Sequence, residues 1–493
     1  MESQTAIARM SATDLLVHFA DRSLSPVEVL QAVSAVSDER EPVLNAFWIR
    51  CGDSALEEAR ASEQRWARGE PLGPIDGVPV SLKENIARAG VPQSSGHAGA
   101  EPTVPKRNSP IADRVAESGG VVVGSTVMPD WGMLSSGVSS RHGITRSPWD
   151  PSWTTGGSSS GAGAACAAGY APLNVGTDIG GSVRLPGTWL GLTTLKPSSG
   201  RVPLDVPYLG RAAGPMTRSA GDAALLLSVL ARPDVRDWTS LPPEVLPLRD
   251  LGLDVTGLRV GLHLDAGCGM PVAPEVAEAV AAVAMVFAGA GAVVEEVAPF
   301  VTPEMLADLD LFWRVRSWND YSALPPEGRA QILPYIRRWV QGGAEVSGSR
   351  ILECYQRIMD LQQATVAATQ AFDVVLSPVA PGVAFDAEWP MPYGNEDRGM
   401  AHIGFTAAYN MSGQPAATSN CGFTVEGKPI GVQVAGRRFD DVGVLRAVRW
   451  YEGARPASAV PDWPITGGTT TDRPTTDRPT TDPPTTDGGT GRG

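Results

Sequence analysis

At 493 residues with 42% hydrophobic side chains, the chain can bury one large core or two ordinary ones, and composition alone does not choose between them. A formal charge of -14 and a pI near 4.9, with no basic run, argue against a phosphate backbone as partner, so no nucleic acid is expected. Cys51, Cys166, Cys268, Cys354 and Cys421 are scattered without a CxxC pair, and the five histidines form no HxxxH or HExxH pair, so reduced thiols and no metal site are expected.

The opening stretch MESQTAIARMSATDLL lacks a basic region followed by an apolar one, so no secretory signal is read and a cytoplasmic protein is expected. Helix-like apolar spacing runs through residues 11–66 (Leu15, Leu16, Phe19, then Val29, Leu30, Val33, Val36), with Ser25-Pro26 as a helix start. Residues 1–70 are therefore assigned as a helical lead-in. From Ile75 the pattern changes to short apolar runs set off by Gly and Pro, such as GVPVSLKEN, GGVVVGS and LRVGLHLD, alternating with helical stretches. That alternation predicts an α/β fold with a mostly buried sheet.

A Pro-rich, charged stretch near 232–254 reads as a loose seam within one continuous core. The longest uncharged apolar run, Ala279 to Val294, is 16 residues with two glycines, short of the ~18 that would suggest a membrane span. It reads instead as a helix ending near Gly289 or Gly291 followed by a strand, so no membrane contact is expected. Residues 304–372 look helical and carry Trp313, Trp318, Tyr335, Trp339 and Tyr355, able to cover a cleft or to serve as ordinary packing. Residues 466–493 form a Thr/Asp/Pro repeat without large apolar side chains, which cannot offset the entropy of ordering itself and is expected to be disordered.

Chemistry concentrates in Gly156 to Arg184, GGSSSGAGAACAAGYAPLNVGTDIGGSVR. The first glycine-serine run alone is weak evidence, and the phosphate-loop pattern fails because no Gly-Lys-Ser/Thr follows. A small-residue helix, an apolar run and a second special turn, Gly180-Gly181-Ser182, follow it too tightly for a linker. Two glycines before Ser182 let the backbone fold so that successive N–H groups point at one spot beside its hydroxyl. An acyl-transfer enzyme needs that combination of nucleophile and fixed donors, each donor being worth ~2.7–4 kcal/mol. The candidate donors are the N–H groups of Ile179, Gly180, Gly181 and Ser182. No histidine lies near these motifs in a recognisable context, so the base is sought among lysines, which burial can bring toward neutrality. The chain has four lysines against 36 arginines, and Lys83 sits in the apolar strand context GVPVSLKEN, where arginine could not act as a base.

The segments GVPVSLKEN, GGSSSGAGAA, GTDIGGSVRLP and LKPSSGRVP resemble the signature blocks of the amidase signature family, in the family's order, with 75 residues from Lys83 to Ser158 and 24 from Ser158 to Ser182. FTAAYNMSGQPAATSNCGFTVEGKPIGVQVAG is similar to the family's closing motif, so the likeness spans residues 11 to 455. The resemblance implies an α/β amidase signature fold, one large mixed sheet flanked by many helices, with residues 71–465 as the catalytic core. It implies Ser182 as nucleophile, Ser158 as bridging serine with a cis peptide to Gly157, Lys83 as base and Ser159 as a support for Lys83. Asp178 and Arg184 would brace the turn that presents Ser182. Where the family reads PAxxxGxxGxKP, this chain has PGTWLGLTTLKP, with Gly187, Trp189 and Thr194 reshaping the wall behind the site.

The function so implied is hydrolysis of an amide to acid and amine through an acyl-Ser182 intermediate, without cofactor or metal. The partner expected is a small-molecule amide, with a homodimer left open. Trp131, Gly132, Met133, Trp153 and Trp189 are expected to wall the pocket, which favours aryl or other apolar amides, with carbamates and esters within range. The alternatives are a glutaminase subunit of a tRNA-dependent amidotransferase and an inactive binding protein on the same fold. Glutamine is expected to be poor because no charged residue in these segments matches an α-carboxylate and α-amine together.

Overall fold

In the computed structural model, which describes residues 2–393 and 398–465, the apolar runs set off by Gly and Pro become strands. In chain order these are β1 (Phe47–Arg50), β2 (Pro79–Lys83), β3 (Val121–Thr126), β4 (Val138–Ser139), β5 (Gly143–Ile144), β6 (Leu173–Asp178), β7 (Thr193–Lys196), β8 (Ala212–Thr217), β9 (Arg259–Leu262), β10 (Val293–Glu296), β11 (Val374–Pro378), β12 (Ala416–Phe423) and β13 (Pro429–Gly436). All but the small β4/β5 pair join one 11-stranded mixed sheet in the order β1-β3-β2-β6-β8-β7-β12-β13-β11-β9-β10. Strands β3, β2 and β6 run parallel, with Lys83 opposite Thr126 and Leu82 opposite Val175. The crossovers are the helices Pro110–Glu117 and Ser160–Ala167. Every residue of β2 and β6 is buried, as a parallel sheet covered on both faces requires.

Alternation along β13 shows how the two faces are covered. Ile430, Val432 and Val434 point into the large core formed with the helices Ala220–Leu230, Pro274–Gly289 and Asp441–Ala454. On the other face, Gly431 donates its N–H to Thr188 Oγ1, and Gln433 accepts from Arg184, both in the helix Arg184–Leu190. That face carries a second apolar cluster, in which Leu185 and Trp189 meet Trp313, Trp339 and Ile358 from the helices of residues 303–369.

The lead-in is mostly helical. Ser11 and Ser25 each close a capping box, at helices Ala12–Asp21 and Pro26–Leu44, satisfying N–H groups that a helix start leaves free. It also supplies β1, an edge strand antiparallel to β3 that the helical spacing around it concealed. The long apolar run divides as expected into the helix Pro274–Gly289 and β10. Residues 232–254 carry neither helix nor strand. Among the described residues no helix is long and apolar enough to cross a membrane. The repeat of residues 466–493 lies outside the described residues.

Because β3, β2 and β6 are parallel, their carboxyl ends reach the same edge of the sheet, where open α/β sheets place their sites. Lys83 ends β2 and Asp178 ends β6.

Candidate active site

Lys83 emerges from β2 fully buried, and its Nζ donates to Ser158 Oγ at 2.8 Å and to Ser159 Oγ at 3.0 Å. Ser159 is fixed in turn, accepting from Thr177 N at 3.2 Å and donating to Thr177 O at 3.1 Å. Burial, then the nearby charge of Arg211, hold the Lys83 ammonium well below its ordinary range, against a weaker upward pull from Asp178 and Glu84. A lysine held near its neutral form next to two hydroxyls can take a proton from one of them.

Ser158 follows a cis peptide to Gly157 and precedes the helix Ser160–Ala167. Position 157 admits only glycine, since a Cβ there would lie 2.4 Å from Ser136 O and 2.7 Å from Leu134 O. Ser182 is 9% and Ser158 3% exposed, and both line one cleft of about 320 Å³. The two segments are tied by Ser159 N donating to Ser182 O at 3.1 Å.

The turn that presents Ser182 is built around Asp178. Its carboxylate accepts from Gly181 N at 2.8 Å, Val183 N at 3.0 Å, Arg184 Nε at 3.0 Å, Arg184 Nη2 at 2.9 Å and Asn410 Nδ2 at 2.8 Å. Burial raises the Asp178 carboxyl, but the Arg184 charge and these donors outweigh it and hold the group well below the usual carboxylate range. Thr406 Oγ1 donates to Gly180 O at 2.6 Å, pinning the turn from the opposite side. Gly181 has φ of +122°, and a Cβ on it would approach Thr406 Oγ1 to 2.8 Å, so both conformation and space require glycine. These contacts narrow the expected donor set. The N–H of Gly181 is committed to Asp178, a carboxylate the sequence did not show pointing back at it, which leaves Ile179, Gly180 and Ser182 as candidate oxyanion donors.

Of the expected pocket residues, Trp131, Gly132 and Met133 line the cleft. Trp131 adopts φ of +47°, unusual for a bulky residue, while its N–H donates to Ser95 O at 2.7 Å and its ring stacks on His97 with centroids 4.4 Å apart. A Cβ on Gly132 would come within 3.1 Å of Ser158 Oγ, so this backbone lies directly against Ser158. Trp153 and Trp189 do not line it, contrary to expectation. Trp189 is 1% exposed, donates Nε1 to Gly382 O at 3.0 Å and meets Phe385 edge-on, because its helix turns that side toward the second apolar cluster. Trp153 bridges to Asp386 and lies under the Lys428 ammonium at 5.4 Å.

Sequence reasoning missed part of the lining. A narrow apolar slot beside Ser182 is formed by Met133, Leu134, Ile179, Leu185, Trp313 and Ile403. Met133 and Ile179 were expected at the site, Trp313 had a signal as part of the aromatic helical segment, and Leu185 and Ile403 had none. On the other side the cleft is polar, with Arg211, Arg316, Asp205 and Asp320. The expectation for glutamine considered only the quoted segments, and these charges come from outside them: Asp205 and Arg211 lie just beyond LKPSSGRVP, and Arg316 and Asp320 lie on the helix Pro303–Ser322. Among the described residues no group of three or more His, Cys, Asp or Glu side chains is placed to hold a metal ion.

Comparison with known proteins shows the family. The Amidase family model matches residues 28–445. The glutamyl-tRNA(Gln) amidotransferase subunit of Chloroflexus aurantiacus is 31% identical over 484 residues, covering 91% of this chain and 97% of that protein. The acylamidase of Rhodococcus erythropolis is 30% identical over 457 residues, covering 91% and 96%. The crystal structure of a bacterial aryl acylamidase of the amidase signature family superposes with a TM-score of 0.85 at 28% identity, covering 94% of this chain and 99% of that one. The chain belongs to the amidase signature family, and it is a serine hydrolase acting on carbon–nitrogen bonds.

Proposed function

We propose that this chain hydrolyses a carboxylic amide with an aryl or other apolar arm through an acyl-Ser182 intermediate, with Lys83 as base and Ser158 as relay. The observation that carries the reading is the fully buried Lys83 Nζ 2.8 Å from Ser158 Oγ, with Ser158 and Ser182 opening into one cleft. Neutral Lys83 takes the Ser158 proton as Ser158 takes that of Ser182, and Ser182 Oγ attacks the carbonyl carbon. The oxyanion is held by N–H groups among Ile179, Gly180 and Ser182. The relay returns the proton to the departing amine, and water repeats the sequence to release the acid. Asp178 and Arg184 hold the turn and take no proton. The apolar slot beside Ser182 supports an aryl or branched arm there, and the same arm in a carbamate or ester meets the same surroundings.

Hydrolysis of an anilide, a carbamate, propionamide and glutamine, compared by kcat/KM in the parent and in Ser182→Ala, tests this. The reading expects the anilide or carbamate to lead and Ser182→Ala to be inactive on all four. Full activity in Ser182→Ala contradicts the mechanism. A second reading, a glutaminase component of an amidotransferase, is favoured by the charged side of the cleft and by the likeness to the Chloroflexus protein. A clear lead for glutamine, together with co-purification of a second protein, would establish it in place of the first.

A further inference from the structure

The charges in the cleft do not balance. Asp178 is neutralised by Arg184 at 2.9 Å, and Asp205 faces Arg107 at 3.1 Å. Asp320 lies beside Arg316, whose charge opposes the rise that burial imposes on its carboxyl. Arg316 spreads its guanidinium over the Tyr208 ring at 4.3 Å. Arg211 has no carboxylate partner among the described residues; its hydrogen bond is a long one, 3.5 Å from Nη1 to Val206 O. Burial and the charge of Arg316 pull Arg211 down to about 10, and Arg211 in turn depresses Lys83, so its positive charge stands between the relay and Arg316. A half-buried guanidinium facing a cleft without a counter-ion is an unfavourable arrangement that a planar bidentate anion relieves.

We propose that Arg211, with Arg316 beside it, seats a carboxylate of the substrate, so that the preferred amide carries an apolar arm in the slot at Ser182 and an anionic group on its other arm. The inference rests on the amidase reading above and adds the charge of the substrate to it. Asp205 and Asp320 set its limit, since a cation next to the carboxylate would meet only Asp205, already paired with Arg107, and Asp320, which lies near the charge of Arg316.

The test compares two acids with neutral isosteres. Hippurate is set against N-isobutylbenzamide, and succinanilate against 4-methylpentananilide, so the carboxylate is tried on either side of the scissile bond. In the parent protein at least one acid should exceed its isostere in kcat/KM by roughly tenfold to a hundredfold. In Arg211→Gln that ratio should collapse toward one, in Arg316→Gln it should fall partway, and Arg211→Lys should keep part of it. Using the ratio removes any general effect of the substitution on turnover. Neither acid exceeding its isostere, or a ratio unchanged in Arg211→Gln, overturns the inference. So does a lead of glutamine over both acids, which would make the site zwitterion-binding. If the isosteres turn over in the parent but not in Ser182→Ala while the acids gain nothing, the amidase reading stands and only this inference falls. If none of the four is cleaved, the melting temperature of Ser182→Ala decides: a rise with hippurate or succinanilate and not with the isosteres supports the anion seat, and no rise overturns it.

Discussion

Replacing Arg184 should destabilise the fold far more than replacing a surface arginine. Its side chain is fully buried and joins three parts of the chain, donating to Asp178, to Gln433 Oε1 at 2.7 Å, to Thr406 O at 3.1 Å and to Asn410 Oδ1 at 2.5 Å. Arg184→Met leaves the Asp178 carboxylate with the N–H groups of Gly181 and Val183 and the Asn410 amide, but with no counter-charge. Breaking a buried pair from one side costs about 3–5 kcal/mol. With about 2.1 cal/mol/K per residue of unfolding entropy, a chain of this length loses roughly 1 kcal/mol per degree, so Tm should fall by about 3–5 °C.

The pH dependence has a definite sign. In the parent protein the folded Asp178 value is depressed, so its contribution is present above the unfolded value of about 3.9 and is lost as pH falls through the folded one. In Arg184→Met burial prevails and the folded value rises, so the penalty is full at neutral pH and shrinks on acidification as the carboxyl takes a proton. Thermal melts of the parent, Arg184→Met, Asp178→Asn and the double variant at pH 7.5 and pH 5 measure this. The double variant should lose less than the sum of the singles. A Tm loss under about 1 °C in Arg184→Met, or strict additivity, would refute the reasoning.

Arg211→Gln removes a charge that helps keep Lys83 neutral, so the folded Lys83 value should rise and the acidic limb of kcat/KM on a neutral anilide should move to higher pH; an unmoved limb contradicts this. Trp189→Ala should lower stability by about 3–5 kcal/mol, as a fully buried side chain, in chemical denaturation. Trp131→Ala should instead spare Tm and lower kcat/KM for aryl substrates, and the reverse pattern would mean the two roles are exchanged. Gly157→Ala drives a Cβ into two backbone carbonyls that cannot yield, so it should cost at least about 1–3 kcal/mol and most of the turnover; parent-like Tm and rate would show that the segment can shift.

Much of the site was readable along the chain because local chemistry marks it. Lys83 stood out as one of four lysines in an arginine-rich chain, and the glycine at 181, just before Ser182, is demanded by its backbone conformation. The parallel strands were visible as apolar runs between glycines and prolines, and the helix Pro274–Gly289 as a periodic run with a glycine stop. What escaped depends on direction and distance in three dimensions. Whether Trp189 faces the cleft or the core is decided by which side of the helix Arg184–Leu190 meets Phe385, and nothing near Trp189 in sequence encodes that partner. The loss of the Gly181 donor follows from a carboxylate three residues earlier turning back on the chain. Arg211 and Arg316 lie 105 residues apart and share the cleft only because the helix Pro303–Ser322 brings Arg316 to it, so no local pattern announces them. β1 was hidden because four residues between the helices Pro26–Leu44 and Gly52–Arg68 carry too little alternation to register.

The most direct test of the relay is to locate the covalent adduct. The protein is treated with a fluorophosphonate, digested and mapped by mass spectrometry, in the parent and in Ser182→Ala, Ser158→Ala and Lys83→Ala. The account predicts a single adduct on Ser182, none in Ser182→Ala, and strongly slowed labelling in the other two, because Ser182 then lacks its route to a base. An adduct on Ser158 or another serine in the parent, or labelling of Ser182 at the parent rate in Lys83→Ala, would contradict it.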